Sequence, residues 1–170
     1  MADVGTTEPT PCHLLSRVEE QAWFGLLRAH TVLSKEIDAA LVRAHRLPLL
    51  AFEVLVSLVQ SAPEGRVGMA ELARVIQLSS SGTSRLVDRL EADGLVRRAA
   101  AAGDARAVDV LVTTEGRQRL DEAARTHVEV LRSIFLSRFS HEELQLLAAF
   151  WQRVGPGPPL VPGAPAAIDT

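Results

Sequence analysis

The stretch LSSSGTSRLVDRLEADGLVRR, residues 78–98, constrains the fold more than any other part of the chain. It sets a hydroxyl-rich helix start, a strongly helical run and a glycine stop directly before a β-prone segment. Ser79 is placed to cap a helix that runs to about Asp93, and Gly94 to end it. At about 100° per residue, Gly82, Thr83, Leu86, Val87 and Leu90 gather on one side, which must face a core. Ser81, Ser84, Arg85 and Asp88 gather opposite, with Ser80 at the margin. An ordinary surface helix carries long Glu and Lys side chains there. Short hydroxyls instead let the helix approach another surface closely, and the major groove of DNA, about 12 Å wide, admits such a helix and is read by short polar groups or a forked arginine. The free N–H groups of the helix start would also favour a phosphate. Serine caps begin many solvated helices as well, so this stretch alone leaves both readings open.

The segments that follow narrow the choice. LVRR, then an alanine-rich connection with Gly103 and Asp104, then VDVLV with Val108, Val110 and Val112 in alternation, predict a β-hairpin. Asp104 and Arg106 fall at its tip, where an arginine can enter the negative potential of a minor groove. Asp104 can orient that arginine, pair with Arg89 or Arg98, or simply form the turn after Gly103.

Helices surround this unit. Leu14, Leu15, Val18, Ala22, Leu26, Leu33, Ile37 and Leu41 recur at helical spacings, predicting a helix from Cys12 to about His45. Such a length exceeds that of an ordinary globular helix and implies packing on another subunit. Pro48 suits the first turn of a second helix, MAELARVIQ forms a short third, and the serine-capped run is the fourth. Thr113 caps a fifth reaching about Arg138, and Ser140 with Glu143 forms a capping box for a sixth ending near Val154. The expected fold is therefore mainly α with a small β-hairpin: a winged helix-turn-helix over residues 47–113, with long flanking helices at 12–46 and 114–154 forming a dimerisation domain. Residues 1–11 and the proline- and glycine-rich 155–170 read as a disordered lead and tail.

Composition excludes several classes. One cysteine in 170 residues permits no intrachain disulfide, and no Cys/His spacing matches a zinc site, so neither metal nor cofactor is expected and a reducing, cytoplasmic location fits. No apolar run approaches the length that spans a bilayer. The net charge of −3 conceals a local excess: residues 66–106 hold seven arginines against five acids. Lys35 is the single lysine, so the positive charge is almost entirely guanidinium, suited to bidentate contacts with phosphate or guanine, although a GC-rich coding sequence produces the same bias. No base-plus-nucleophile constellation or phosphate loop is present, which argues against an enzyme.

ELARVIQLSSSGTSRLVDRLEADGLVRR, GDARAV and LVTTEGRQRL together resemble the MarR family of bacterial transcriptional regulators, with the similarity extending from about residue 14 to 154. The resemblance implies a homodimer held by the N- and C-terminal helices, bound to a pseudo-palindromic operator in double-stranded DNA and released from it by a small-molecule effector, more often as repressor than as activator. Carried over by position, Ser80, Ser81, Ser84 and Arg85 are recognition-helix contacts, Arg89 is a phosphate or wing-support residue, and Arg106 is the minor-groove arginine beside Asp104. The family's wing often reads Asp-Arg-Arg, whereas here Ala105 stands in place of the first arginine. Ala99 to Ala102 further lower the wing's charge, which predicts weaker binding to generic DNA.

The same resemblance puts an effector cleft between the dimerisation helices and the winged domain, with Trp23, Phe24, Leu27, Phe52 and His127 as candidate lining residues. Isolated aromatics at helical spacing equally serve as core, and His127 can be a satisfied histidine on a helix face. Cys12 raises an alternative within the family, a redox sensor, against which stands the absence of any tyrosine to surround its thiolate. Outside the family, a winged-helix adaptor that binds protein is the competing expectation, since fold does not fix function.

Overall fold

The computed structural model describes residues 14–61, 66–101 and 104–154. Cys12, the lead and the tail lie outside them. The elements run α1 (Arg17–His45), α2 (Leu49–Ser61), β1 (Arg66–Gly68), α3 (Met69–Val75), α4 (Ser80–Ala92), β2 (Val96–Ala101), β3 (Asp104–Val112), α5 (Thr114–Ile134) and α6 (His141–Val154), with a 3-10 turn at Leu136–Arg138.

Local chemistry explains most boundaries. α1 begins at Arg17 and not at Cys12, because Ser16 and Glu19 form a reciprocal capping box: the Ser16 amide donates to the Glu19 carboxylate at 2.7 Å and the Glu19 amide to Ser16 Oγ at 3.3 Å. At its other end Arg46 adopts a left-handed conformation, φ 53°, and donates its amide to the Val42 carbonyl. The chain then turns into α2, whose first amide, Leu49 N–H, is satisfied by Asp38 of α1 at 2.8 Å. Thr113 caps α5 as expected, accepting from the Gly116 amide at 2.9 Å while donating to the Gly94 carbonyl at 2.7 Å. That junction is tight enough to require glycine: a Cβ on Gly116 would lie 2.0 Å from the Leu95 carbonyl oxygen. α5 stops at Ile134, short of Arg138, because Phe135 leaves helical geometry and the chain passes through the 3-10 turn into the Ser140–Glu143 capping box of α6.

The sheet is larger than a hairpin. β1 pairs with β3, Val67 opposite Val110, giving the antiparallel order β1-β3-β2. Three residues are too few to show alternation in sequence, and only pairing with β3 reveals them as a strand. β2 and β3 form the expected wing, with Val96 opposite Val112 and a register shift between Ala100 and Ala101.

One core joins these layers. α2 lies at its centre, with Phe52, Val54, Leu55, Val56 and Leu58 all buried. Ile37 and Leu41 of α1, Leu72 of α3, Leu86, Val87 and Leu90 of α4, Val110 and Val112 of β3, and Leu120 and Ala123 of α5 close around it. Because α2 is covered by α1, α3, α5 and the sheet, it needs no polar stripe, which accounts for its nearly unbroken apolar sequence.

Candidate nucleic-acid interface

α4 is anchored on one face and open on the other. Ser79, in extended geometry, accepts from the Gly82 amide at 3.2 Å, and Thr83 Oγ1 donates to the Ser79 carbonyl at 3.1 Å. Thr83, Leu86, Val87 and Leu90 are buried, as the helical wheel requires, while Gly82 is half-buried against Leu78 and Ser79. Ser80, Ser81, Arg85, Asp88 and Arg89 are exposed, and Ser84 is half-buried at the edge of that face. Among the described residues neither Arg85 nor Arg89 has an ion-pair partner. The result is a row of hydroxyls and guanidinium groups on a helix whose position is set by its buried side.

The wing is joined to this helix by Arg98, which the sequence did not single out as an anchor. On β2, Val96 and Arg98 point to the same side of the sheet, toward α4, whereas Arg97 between them is exposed. Arg98 donates through Nη1 to Glu91 at 2.5 Å, and through Nη2 to Asp88 at 2.6 Å and to the Ser84 carbonyl at 3.4 Å. Its backbone amide also donates to Glu91 at 2.7 Å. Burial opposes the charge on Arg98, but the Glu91 and Asp88 carboxylates more than offset this, and the guanidinium pKa lies above its ordinary value. The Arg98 backbone amide, then its side chain, hold the Glu91 carboxyl below the usual range.

Ser80, Ser81, Ser84, Arg85 and Arg89 thus share one helix, with Ser80, Ser81 and Arg85 on its outer face. Asp104 and Arg106 lie in the β3 backbone, close to the turn; their side chains fall outside the described set. The pairing of Asp104 with Arg89 or Arg98 weighed above falls outside the described residues, among which Arg98 pairs with Asp88 and Glu91.

The five candidate effector residues separate. Phe52 and His127 stack in the core, ring centroids 5.0 Å apart and planes inclined by 18°. Among the described residues His127 Nδ1 is buried without a hydrogen-bond partner, and burial pulls the imidazole pKa below 6.5. Trp23, Phe24 and Leu27, in contrast, are exposed on the N-terminal half of α1. Trp23 lines a groove with Leu15, Leu26 and Trp151, and Phe24 lines another with Glu20, Gln21 and Arg28. A third groove of about 460 Å³ lies between Ala22–Leu33 of α1 and Phe135, Phe139, Leu147 and Trp151. Helical spacing had placed Trp23 and Phe52 in the same class of isolated aromatic, but only tertiary packing buries one and exposes the other.

Among the described residues no three His, Cys, Asp or Glu side chains converge as metal ligands, and no helix is long and apolar enough to cross a membrane.

Comparison with known proteins agrees with this geometry. The family model described as MarR family matches residues 47–107, from the start of α2 to the wing. The chain is 29% identical over 129 residues to the HTH-type transcriptional regulator PecS of Dickeya dadantii, covering 76% of each. It is 31% identical to Sco3205, a MarR family transcriptional regulator of Streptomyces coelicolor whose crystal structure is in complex with DNA, with a TM-score of 0.75 over 82% of this chain and 90% of that one. AbsC, another MarR family regulator of the same organism, is 26% identical with a TM-score of 0.75, covering 82% and 93%.

Proposed function

Because the chain belongs to the MarR family of transcriptional regulators, we propose that it is a sequence-specific DNA-binding homodimer, a repressor of the cytoplasm with no catalytic role, released from its operator by a small-molecule effector. The observation that carries this reading is the outer face of α4: Ser80, Ser81 and Arg85 exposed together above a fully buried side formed by Thr83, Leu86, Val87 and Leu90. A helix so anchored presents short donors and a forked guanidinium to base edges in a major groove. Arg89 approaches phosphate, and Arg106, with Asp104 beside it, enters the adjacent minor groove. That Sco3205, a 31% identical relative, was crystallised in complex with DNA supports DNA binding as the activity.

Residues 47–113 form the DNA-binding unit in this reading, and 12–46 with 114–154 form the dimerisation unit. Support for the second comes from the apolar surface that one copy leaves uncovered: Leu14, Val18 and Trp23 on one side and Leu146, Phe150, Trp151 and Val154 on the other are exposed. A twofold dimer would set two α4 helices against half-sites about one helical turn apart, hence a pseudo-palindromic operator. The effector is assigned to the region between the dimerisation helices and the winged domain; of its five candidate neighbours, Phe52 and His127 lie in the core there, whereas Trp23, Phe24 and Leu27 lie on the exposed N-terminal half of α1. An effector acts by binding one dimer geometry better than another.

Fluorescence anisotropy on duplex DNA from the upstream region of the gene, against a scrambled duplex, tests this. The unmutated protein should prefer the native duplex in a salt-dependent manner, and Arg85→Ala or Arg106→Ala should weaken that binding by about tenfold or more. Equal weak binding to both duplexes, unaffected by either substitution, would favour a protein-binding adaptor.

A further inference from the structure

We infer that Arg98 is a positioning residue for operator recognition: it sets the angle and separation between the helix that reads the major groove and the wing that reaches the minor groove. This rests on the DNA-binding reading above and adds to it a residue that need not touch DNA.

The inference begins with the sheet. Val96 and Arg98 face α4 from the same side of β2, so the chain continues its buried row with a guanidinium at the point where the wing leaves the body. Ser84, Asp88 and Glu91 stand at successive turns along one side of α4, and their backbone or side-chain oxygens converge on that one guanidinium at 3.4, 2.6 and 2.5 Å. A single ion pair would leave β2 free to pivot about it. Several contacts from one planar group, with the Arg98 amide bonded to Glu91 as well, fix rotation and translation together. Lysine, a point charge with rotatable donors, cannot reproduce them.

Charge adds a second reason. Asp88 is exposed on the side of α4 that carries Arg85, and an uncompensated carboxylate there would repel the phosphates the helix must pass. Arg98 offsets both Asp88 and Glu91 while remaining behind the helix. Arg98 therefore affects contacts by α4 and wing jointly, and its loss should reduce the preference for the correct site more than affinity for DNA in general.

The test uses the full chain and a duplex that the unmutated protein selects from a randomised pool, with a scrambled duplex beside it. Arg98→Met and Arg98→Lys are compared with the unmutated protein by anisotropy, thermal melting and footprinting. Arg98→Lys keeps the charge and guards against loss of fold. Both variants should lose about tenfold in affinity for the selected duplex and less than about threefold for the scrambled one. Guanine N7 protection in the major groove should persist while hydroxyl-radical protection by the wing shifts or disappears. Asp88→Asn, which leaves Glu91 as the one ion pair to Arg98, should lose preference for the selected duplex in the same sense as Arg98→Lys but to a smaller extent. Unchanged selectivity and footprint in Arg98→Lys would overturn the assignment, as would equal losses on both duplexes that follow a lowered Tm. Failure of the unmutated protein to select any duplex would instead remove the DNA-binding reading itself, and this inference with it.

Discussion

His127 shows how burial alone can make one residue pH-sensitive. Its imidazole stacks on Phe52, its Nδ1 has no partner among the described residues, and burial lowers its pKa from 6.5. Below that pH the unfolded chain takes up a proton that the folded chain resists, so stability should be complete above about 6.5 and decline as pH falls toward the depressed folded value. Glu53 acts in the opposite sense: burial raises its carboxyl pKa above 4.5, with His30 opposing, so its ionisation costs stability as pH rises through the folded value. Urea denaturation in a Glu53→Gln background isolates the histidine. His127→Phe should there show a smaller fall in midpoint between pH 7.5 and 5.5 than the background does; an undiminished fall would place the sensitivity elsewhere.

At the scale of elements, the cap of α4 tests whether this helix end joins stability to the proposed DNA recognition. Ser79 supplies the side-chain acceptor for the Gly82 amide, and its removal in Ser79→Ala should cost about 1 kcal/mol in thermal or denaturant unfolding. Ser79→Asp separates the two roles. The carboxylate caps the helix and suits its positive end, so stability should be retained, while the added charge should weaken DNA binding by phosphate repulsion. Retained affinity in Ser79→Asp would mean that this helix end does not approach phosphate. Such caps were legible in the sequence because they depend on residues three apart: Ser79 with Gly82, Thr113 with Gly116, Ser140 with Glu143. Ser16 with Glu19 has the same form, but the apolar periodicity extending back to Leu14 obscured it. The third strand was hidden for another reason, since β1 exists only through its ladder to β3.

For the whole molecule, the uncovered apolar surface gives the dimer proposal its test. Phe150 and Trp151 remain about half exposed in the isolated chain, at 48% and 43%, and Arg153 lies 5.3 Å over the Phe150 ring. Phe150→Asp lies outside the core and should leave the monomer folded while raising the dimer dissociation constant by about tenfold or more, as read by sedimentation equilibrium. An unaltered association constant would move the interface away from α6.

The order of the helices and the hairpin, the winged helix-turn-helix class and the two faces of α4 were determined by sequence alone, because caps, glycine stops and apolar periodicity act over a few residues. Tertiary structure decided what depends on distant segments meeting. It brought Arg98 to Asp88 and Glu91, paired β1 with β3, and buried Phe52 against His127 while leaving Trp23 exposed. No local pattern encodes those outcomes, since each is set by how separate elements pack around α2.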